Sequence, residues 1–282
     1  MTMRGEAAIV AFAELPTRRT YPGRSALGLL ADVANQAIED AHLRKEDVDG
    51  LITEGGMVYP AAVAEYMGMT PGFATGVSMM GCSGGTAISI AAAAIHAGLA
   101  TNVLVAISQF REANTPFGAQ GSEPTLGTEF ESPYGPAVAA NTGYGMMYSR
   151  HMHEYGTTPE QMARIAANQR FNALENPNSA FQGQPITVED VLASRYINWP
   201  LHLLECVMPC AGGAAVIVTS ADRAKSFPNR PVYLLGAGVG VMGLMGWQHD
   251  RITESPVAMS APRAFAMSGY GPKDVQFAQF YD

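Results

Sequence analysis

Between Ala26 and His42 the apolar residues Leu29, Leu30, Val33, Ala34, Ala37, Ile38 and Ala41 recur at the spacing of one buried helix face. The apolar run from Ala7 to Phe12 ahead of it predicts a strand buried on both sides. A polar turn, Lys45-Glu46-Asp47-Val48-Asp49-Gly50, then leads into Leu51-Ile52-Thr53, a second strand. The alternation goes on with a helix near Ala61 to Met67, a strand at Gly72 to Val77, a helix from Ser83 to Gly98 and a strand at Asn102 to Ser108. Strands that alternate with helices predict an α/β layer fold whose sheet is covered on both faces.

From Glu112 to Pro209 this rhythm stops: Pro, Gly, Asn and aromatic residues are frequent, and only helices at Ala137 to Tyr155 and Pro159 to Asn172 stand out. Gly156 is a stop for the first of these, and Thr158-Pro159-Glu160 a start for the second. The layer pattern returns with a strand at Ala214 to Thr219, a helix starting at Ala221-Asp222-Arg223-Ala224 and, after a Pro-rich linker, a strand at Val232 to Leu235. Ala37 to Leu51 and Ala264 to Ala278 also resemble each other, with Asp47-Val48 and Asp274-Val275 in matching places. Two related α/β halves follow from that, against the alternative of a chance likeness between two helix-turn-strand units. The expected organisation is a first half at 1–111 and 210–227, an inserted loop domain at 112–209, and the start of a second half at 228–282.

Composition narrows the function. With 282 residues, 48% of them hydrophobic and 15% charged, the chain can bury a sizeable core. A net charge of -8 without clustered Lys or Arg argues against nucleic acid as a partner. The longest apolar stretch, Ala87 to Ala97, is interrupted by Ser89 and His96 and is shorter than the ~20 residues a bilayer demands; Glu6 and Glu14 break the apolar residues of positions 1–20, so no secretory signal and a cytoplasmic location are expected. Three cysteines, Cys82, Cys206 and Cys210, fit reduced thiols, with Cys206 and Cys210 read as small buried residues and no metal expected.

The segment Val77-Ser78-Met79-Met80-Gly81-Cys82-Ser83-Gly84-Gly85-Thr86-Ala87-Ile88 before a small-residue helix, and Gly212 to Val218 closing the first half, resemble the thiolase superfamily. Gln184 to Asp190, Ser194-Arg195, Trp199-Pro200-Leu201 and Leu203-Leu204-Glu205-Cys206 are similar to sterol-carrier or lipid-transfer thiolases, nearest to steroid side-chain retro-aldolases. The resemblance implies an α/β/α/β/α thiolase-like layered fold, with a complete first half, the inserted loop domain and a second half truncated at Asp282. It also implies an acyl-coenzyme A thioester as substrate, no bound cofactor, a homodimer and a small zinc-bearing OB-fold accessory protein as partner.

Thiolases set a cysteine at the start of this helix, where the helix N-terminus lowers its pKa. Counted along the Cys-Ser-Ser-Gly-x-x-Ala-Ile pattern of the resembling proteins, that position is Gly81, and Cys82 lies about 100° further round. Cys82 is therefore read as a small residue packed under the loop, with acylation as the alternative. A glycine in place of the nucleophile is what the retro-aldolases show, and it implies carbon-carbon cleavage without an acyl-enzyme. Gly81, Met79 and Met80 are candidate substrate-binding residues. A Tyr-Asp segment ending a strand is implicated in those aldolases, and Tyr281-Asp282 matches it after an expected strand at Val275 to Phe280. A core or interface role is the plainer alternative for Tyr281.

The remaining features are weaker. His151 and His153 point to different helix faces, Gly236, Gly238 and Gly240 read as a turn rather than a dinucleotide loop, and the sixteen methionines are mostly core fillers.

Overall fold

Ser25 opens the first helix, α1 (Ala26–Asp40): its side chain accepts a hydrogen bond from the Gly28 amide at 3.0 Å, which satisfies a donor that the helix itself cannot. In this computed structural model residues 3–55, 59–110, 140–243 and 248–280 are described. They belong to two compact units, one of Met1–Phe110, Ala211–Val239 and Met259–Asp282, the other of Arg111–Cys210 and Gly240–Ala258.

The first unit is built on a six-stranded sheet. Its strands are β1 (Ala7–Glu14), β2 (Gly50–Glu54), β3 (Phe73–Val77), β4 (Asn102–Gln109), β7 (Gly212–Ser220) and β8 (Val232–Tyr233), in the order β3-β2-β4-β7-β1-β8. β2 runs parallel to β3 and β4, and β7 runs antiparallel to both β4 and β1. Strand residues alternate between the two faces. Leu51, Leu104, Ala106 and Ile217 pack with Leu29, Leu30, Val33 and Ile38 of α1 and with Val63 of α2 (Tyr59–Met67). Ile52, Val103, Val105 and Val218 pack with Ala87, Ala91 and Ala92 of α3 (Ser83–His96). Both faces are thus covered, which is why these strands read as continuous apolar runs rather than as alternating ones.

Polar side chains, with Asn102 and Thr219 buried, lock the start of the sheet. Asp49 accepts from the amides of Thr101 at 2.8 Å and Asn102 at 2.8 Å, while Asn102 donates to the Asp47 carbonyl and accepts from the Thr219 hydroxyl at 2.9 Å. The strands β2, β4 and β7 are held in register by side chains as well as by their ladders.

Three local expectations need correction. The strand at Val232 to Leu235 shrinks to Val232–Tyr233, opposite Ile9 and Ala8 of β1. Val275 to Phe280 forms no strand: the segment has no ladder partner among the described residues, and Phe277 and Phe280 are each 83% exposed. It follows helix α8 (Val257–Ser268) and a 3₁₀ turn at Pro272–Asp274. The Gly236, Gly238 and Gly240 run forms no turn; a Cβ on Gly236 or Gly238 would fall well inside contact distance of the Ala264 or Ser260 carbonyl of α8. These glycines let two backbones approach.

The second unit is helical. Gly156, at φ +69°, ends α4 (Ala140–Tyr155), and Thr158 and Gln161 form a reciprocal cap with Pro159 at the first turn of α5 (Pro159–Leu174). Thr187 and Asp190 repeat that cap at α6 (Val188–Ala193), ahead of a two-stranded ladder, β5 (Tyr196–Asn198) with β6 (Leu201–His202). His202 Nδ1 lies 2.9 Å from Glu205 Oε2 and both side chains are buried. Burial, and after it the nearby Glu205 charge, push the Tyr148 phenol up to about 12. Cys206 and Cys210 are half-buried rather than buried, and burial raises the Cys206 thiol. His151 and His153 are exposed, His151 within 2.6 Å of the Thr157 hydroxyl. Among the described residues no helix is long and apolar enough to cross a membrane, and no group of three or more His, Cys, Asp or Glu could hold a metal ion.

Candidate functional site

Parallel strands end together. β2 closes at Glu54 directly opposite Val77, the last residue of β3, and the chain beyond Val77 makes the passage into α3. Carboxyl ends of parallel strands are where open α/β sheets assemble their sites, because the loops that follow converge there.

The passage is a 3₁₀ turn, Met80–Cys82, that holds three of the expected site residues and begins beside the fourth, Met79. Met79 reaches back onto the apolar layer under α3, while Met80 is 72% exposed. Met80 has φ +50°, a left-handed conformation that a side chain rarely adopts, at a cost of about 1–2 kcal/mol. Gly81 is exposed next to it. Cys82 is exposed at the cap of α3, which corrects the expectation of a residue packed beneath the loop; the turn leaves its side chain on the solvent side. The first turn of α3 has no acidic residue and no side-chain cap, so its amides keep their partial positive charge.

What sequence reasoning missed is the support under this turn. Ser83 is buried, its Oγ accepts from the Met79 amide at 3.0 Å, and its single proton lies between the Met80 carbonyl at 2.7 Å and Glu54 Oε1 at 2.9 Å. Glu54 is half-buried at the strand end. Next to it Gly55, at φ +132°, lies under the ring of Tyr59, whose phenol is raised by partial burial and moderated by Ser108. An acid closing an apolar strand and followed by Gly-Gly, as in Leu51-Ile52-Thr53-Glu54-Gly55-Gly56, is the only signal the sequence offered. Tyr281 and Asp282 lie outside the described residues, so of the expected site residues the structure brings together Met79, Met80, Gly81 and Cys82.

No protein-family model matches the chain. Among curated proteins it is 34% identical over 277 residues to a steroid side-chain-cleaving aldolase of Thermomonospora curvata, across 92% of this chain and 70% of that protein. It is 33% identical over 297 residues to the 17-hydroxy-3-oxo-4-pregnene-20-carboxyl-CoA lyase of Mycobacterium tuberculosis, across 99% of this chain and 76% of that one. Among solved structures it is similar to the Ltp2-ChsH2(DUF35) aldolase, with a TM-score of 0.84 and 30% identity over 97% of this chain and 72% of that chain.

Proposed function

The chain belongs to the thiolase superfamily, in the branch of the steroid side-chain-cleaving aldolases, and on that premise we propose that it cleaves a carbon-carbon bond in a bulky β-hydroxyacyl-CoA by a retro-aldol step. The observation that carries the reading is the likeness to the Thermomonospora curvata aldolase along 92% of the chain. The exposed Gly81, at the position where the resembling thiolases keep a nucleophile, supports it.

In such a step a base takes the proton from the β-hydroxyl and the alkoxide collapses to a carbonyl. The Cα–Cβ bond breaks, and its electron pair moves onto the thioester carbonyl as an enolate, which is then protonated. The N-terminus of α3, with its partial positive charge, is suited to hold that oxyanion, and Met79 and Met80 to line the acyl group. No side chain at position 81 is asked to form an acyl-enzyme. Tyr281, with Asp282 beside it, is our candidate for the proton transfer. A free phenol has a pKa of about 10, so it needs a neighbouring donor or relay to act near neutral pH. Replacement of Tyr281 by Phe keeps the ring and removes the hydroxyl. Turnover of a β-hydroxyacyl-CoA, followed by release of the shortened thioester, should fall about 100-fold with the melting temperature unchanged. Retained turnover would return Tyr281 to a structural role.

The same reading includes a homodimer, a zinc-bearing OB-fold accessory subunit of the kind suggested by the aldolase named with its DUF35 partner, and a cytoplasmic location. Co-purification and light scattering test the assembly. A second reading is favoured by one observation, the exposed Cys82 thiol at the cap of α3: acyl transfer through another nucleophile. Mass spectrometry after incubation with acyl-CoA separates the two, since acyl transfer leaves a thioester on Cys82 and retro-aldol cleavage leaves none. Absence of both adduct and cleavage, with thioester binding kept, would point to a non-catalytic lipid-thioester-binding or scaffold member.

A further inference from the structure

We propose that Glu54 is a positioning residue of this site, acting through Ser83 to hold the turn that presents Gly81, an inference that rests on the lyase reading for its catalytic consequence. The turn cannot hold its shape by backbone preference, since Met80 stands in the left-handed region. Its anchors among the described residues include the Met79 amide on Ser83 Oγ, the Ser83 proton, the Cys82 amide on the Met79 carbonyl at 3.1 Å and the Ser83 amide on the Met80 carbonyl. Two of these four run through one buried hydroxyl, and those two are the ones a side chain makes.

A hydroxyl with one proton and two acceptors can rotate. When it points at the Met80 carbonyl it closes a local ring; when it points at Glu54 it ties the turn to the end of β2, a strand paired on both sides. The carboxylate therefore connects an exposed, strained turn to a strand held from both sides. Thr53, the preceding residue, has a buried hydroxyl with no hydrogen-bond partner, so it offers no substitute.

The role asks for an acceptor at Oε1 and not for a titrating proton, which separates it from acid-base catalysis. Glu54→Ala should lower kcat on a β-hydroxyacyl-CoA about 10- to 100-fold, the loss expected when reacting groups are displaced by about 1 Å, with KM changed less than about threefold. Glu54→Gln, whose amide oxygen accepts from Ser83 equally well, should retain most of kcat and an unaltered pH profile. In a Ser83→Ala background Glu54→Ala should cost nothing more. Amide hydrogen exchange across Met79–Ser83 should quicken in Glu54→Ala and match the parent in Glu54→Gln. Glu54→Met, which fills the same space without an acceptor, serves if the alanine variant does not fold.

The proposal is overturned if Gln is as defective as Ala, if the full loss persists without the Ser83 hydroxyl, or if exchange in the turn is indifferent to Glu54. A parent protein that cleaves no β-hydroxyacyl-CoA would sink the lyase reading alone, and the exchange measurement would still decide whether Glu54 holds the turn.

Discussion

Two stretches of the first unit begin alike and end differently. After α1 the chain passes His42 at φ +53° and a 3₁₀ turn, Lys45–Asp47, in which Asp47 accepts from the Arg44 amide at 2.9 Å. After α8 it passes Gly269 at φ +71° and a 3₁₀ turn, Pro272–Asp274, in which Asp274 accepts from the Gly271 amide at 2.7 Å. Asp274 stands to Gly269 and Gly271 as Asp47 stands to His42 and Arg44, so the repeat seen in the sequence extends to caps and turns. The first copy then enters β2, flanked by β3 and β4; the second enters Val275 to Phe280, exposed and unpaired among the described residues. The helix stop and the turn are written in a few adjacent residues, whereas a strand exists only where other strands receive it.

The largest effect should come from the copy that is received. Leu51 is fully buried on β2, and Leu51→Ala should cost about 2–5 kcal/mol in chemical denaturation. A smaller loss is expected where the second copy's helix is anchored: Gly236→Ala drives a methyl into the Ala264 carbonyl and should cost about 1–3 kcal/mol, seen as a lower midpoint at constant slope.

The turns sharpen the comparison further. Asp47→Ala should lower the melting temperature more than Asp274→Ala, because only Asp47 also takes the Arg44 guanidinium, at 2.9 Å. The hydrogen bonds from Arg44 hold the Asp47 carboxyl down at about 2. A folded pKa below the unfolded one, about 3.9, makes its contribution complete above that value and lost as pH falls toward the folded one. The melting difference between parent and Asp47→Ala should therefore be constant above about pH 5, shrink as pH falls toward about 2 and vanish below it. Smallest of all, Phe277→Ala should change stability by less than about 0.5 kcal/mol, since the ring is already in solvent. A large loss there would mean that the second copy is received after all.

Much of the fold was legible because its signals are local and redundant. Leu29, Leu30, Val33 and Ile38 mark α1 by period, and Thr158-Pro159 and Gly156 mark helix ends by chemistry that works within one turn. The strand expected at Val275 to Phe280 failed because period cannot report the absence of a partner. The site was legible only in part. Met79 to Cys82 were found from their place before a small-residue helix, but Glu54 lies 29 residues from Ser83 and meets it only because β2 and β3 end side by side. The exposure of Cys82 likewise depends on the left-handed residue two positions before it, which no composition rule foretells for a methionine.

The position of β7 has a consequence in time. It lies between β4 and β1 and pairs with both along most of their lengths, yet it is made of residues 212–220. Until a ribosome has passed residue 220, β1 has no inner neighbour and β4 has one bare edge. The nascent chain must then keep apolar segments such as Val103-Leu104-Val105 from pairing with other chains throughout the synthesis of the intervening hundred or so residues. Sheets closed by such late, distant strands fold slowly and are exposed to aggregation while they wait. The order in which this sheet is synthesised therefore leaves β4 with a bare edge for as long as β7 is missing.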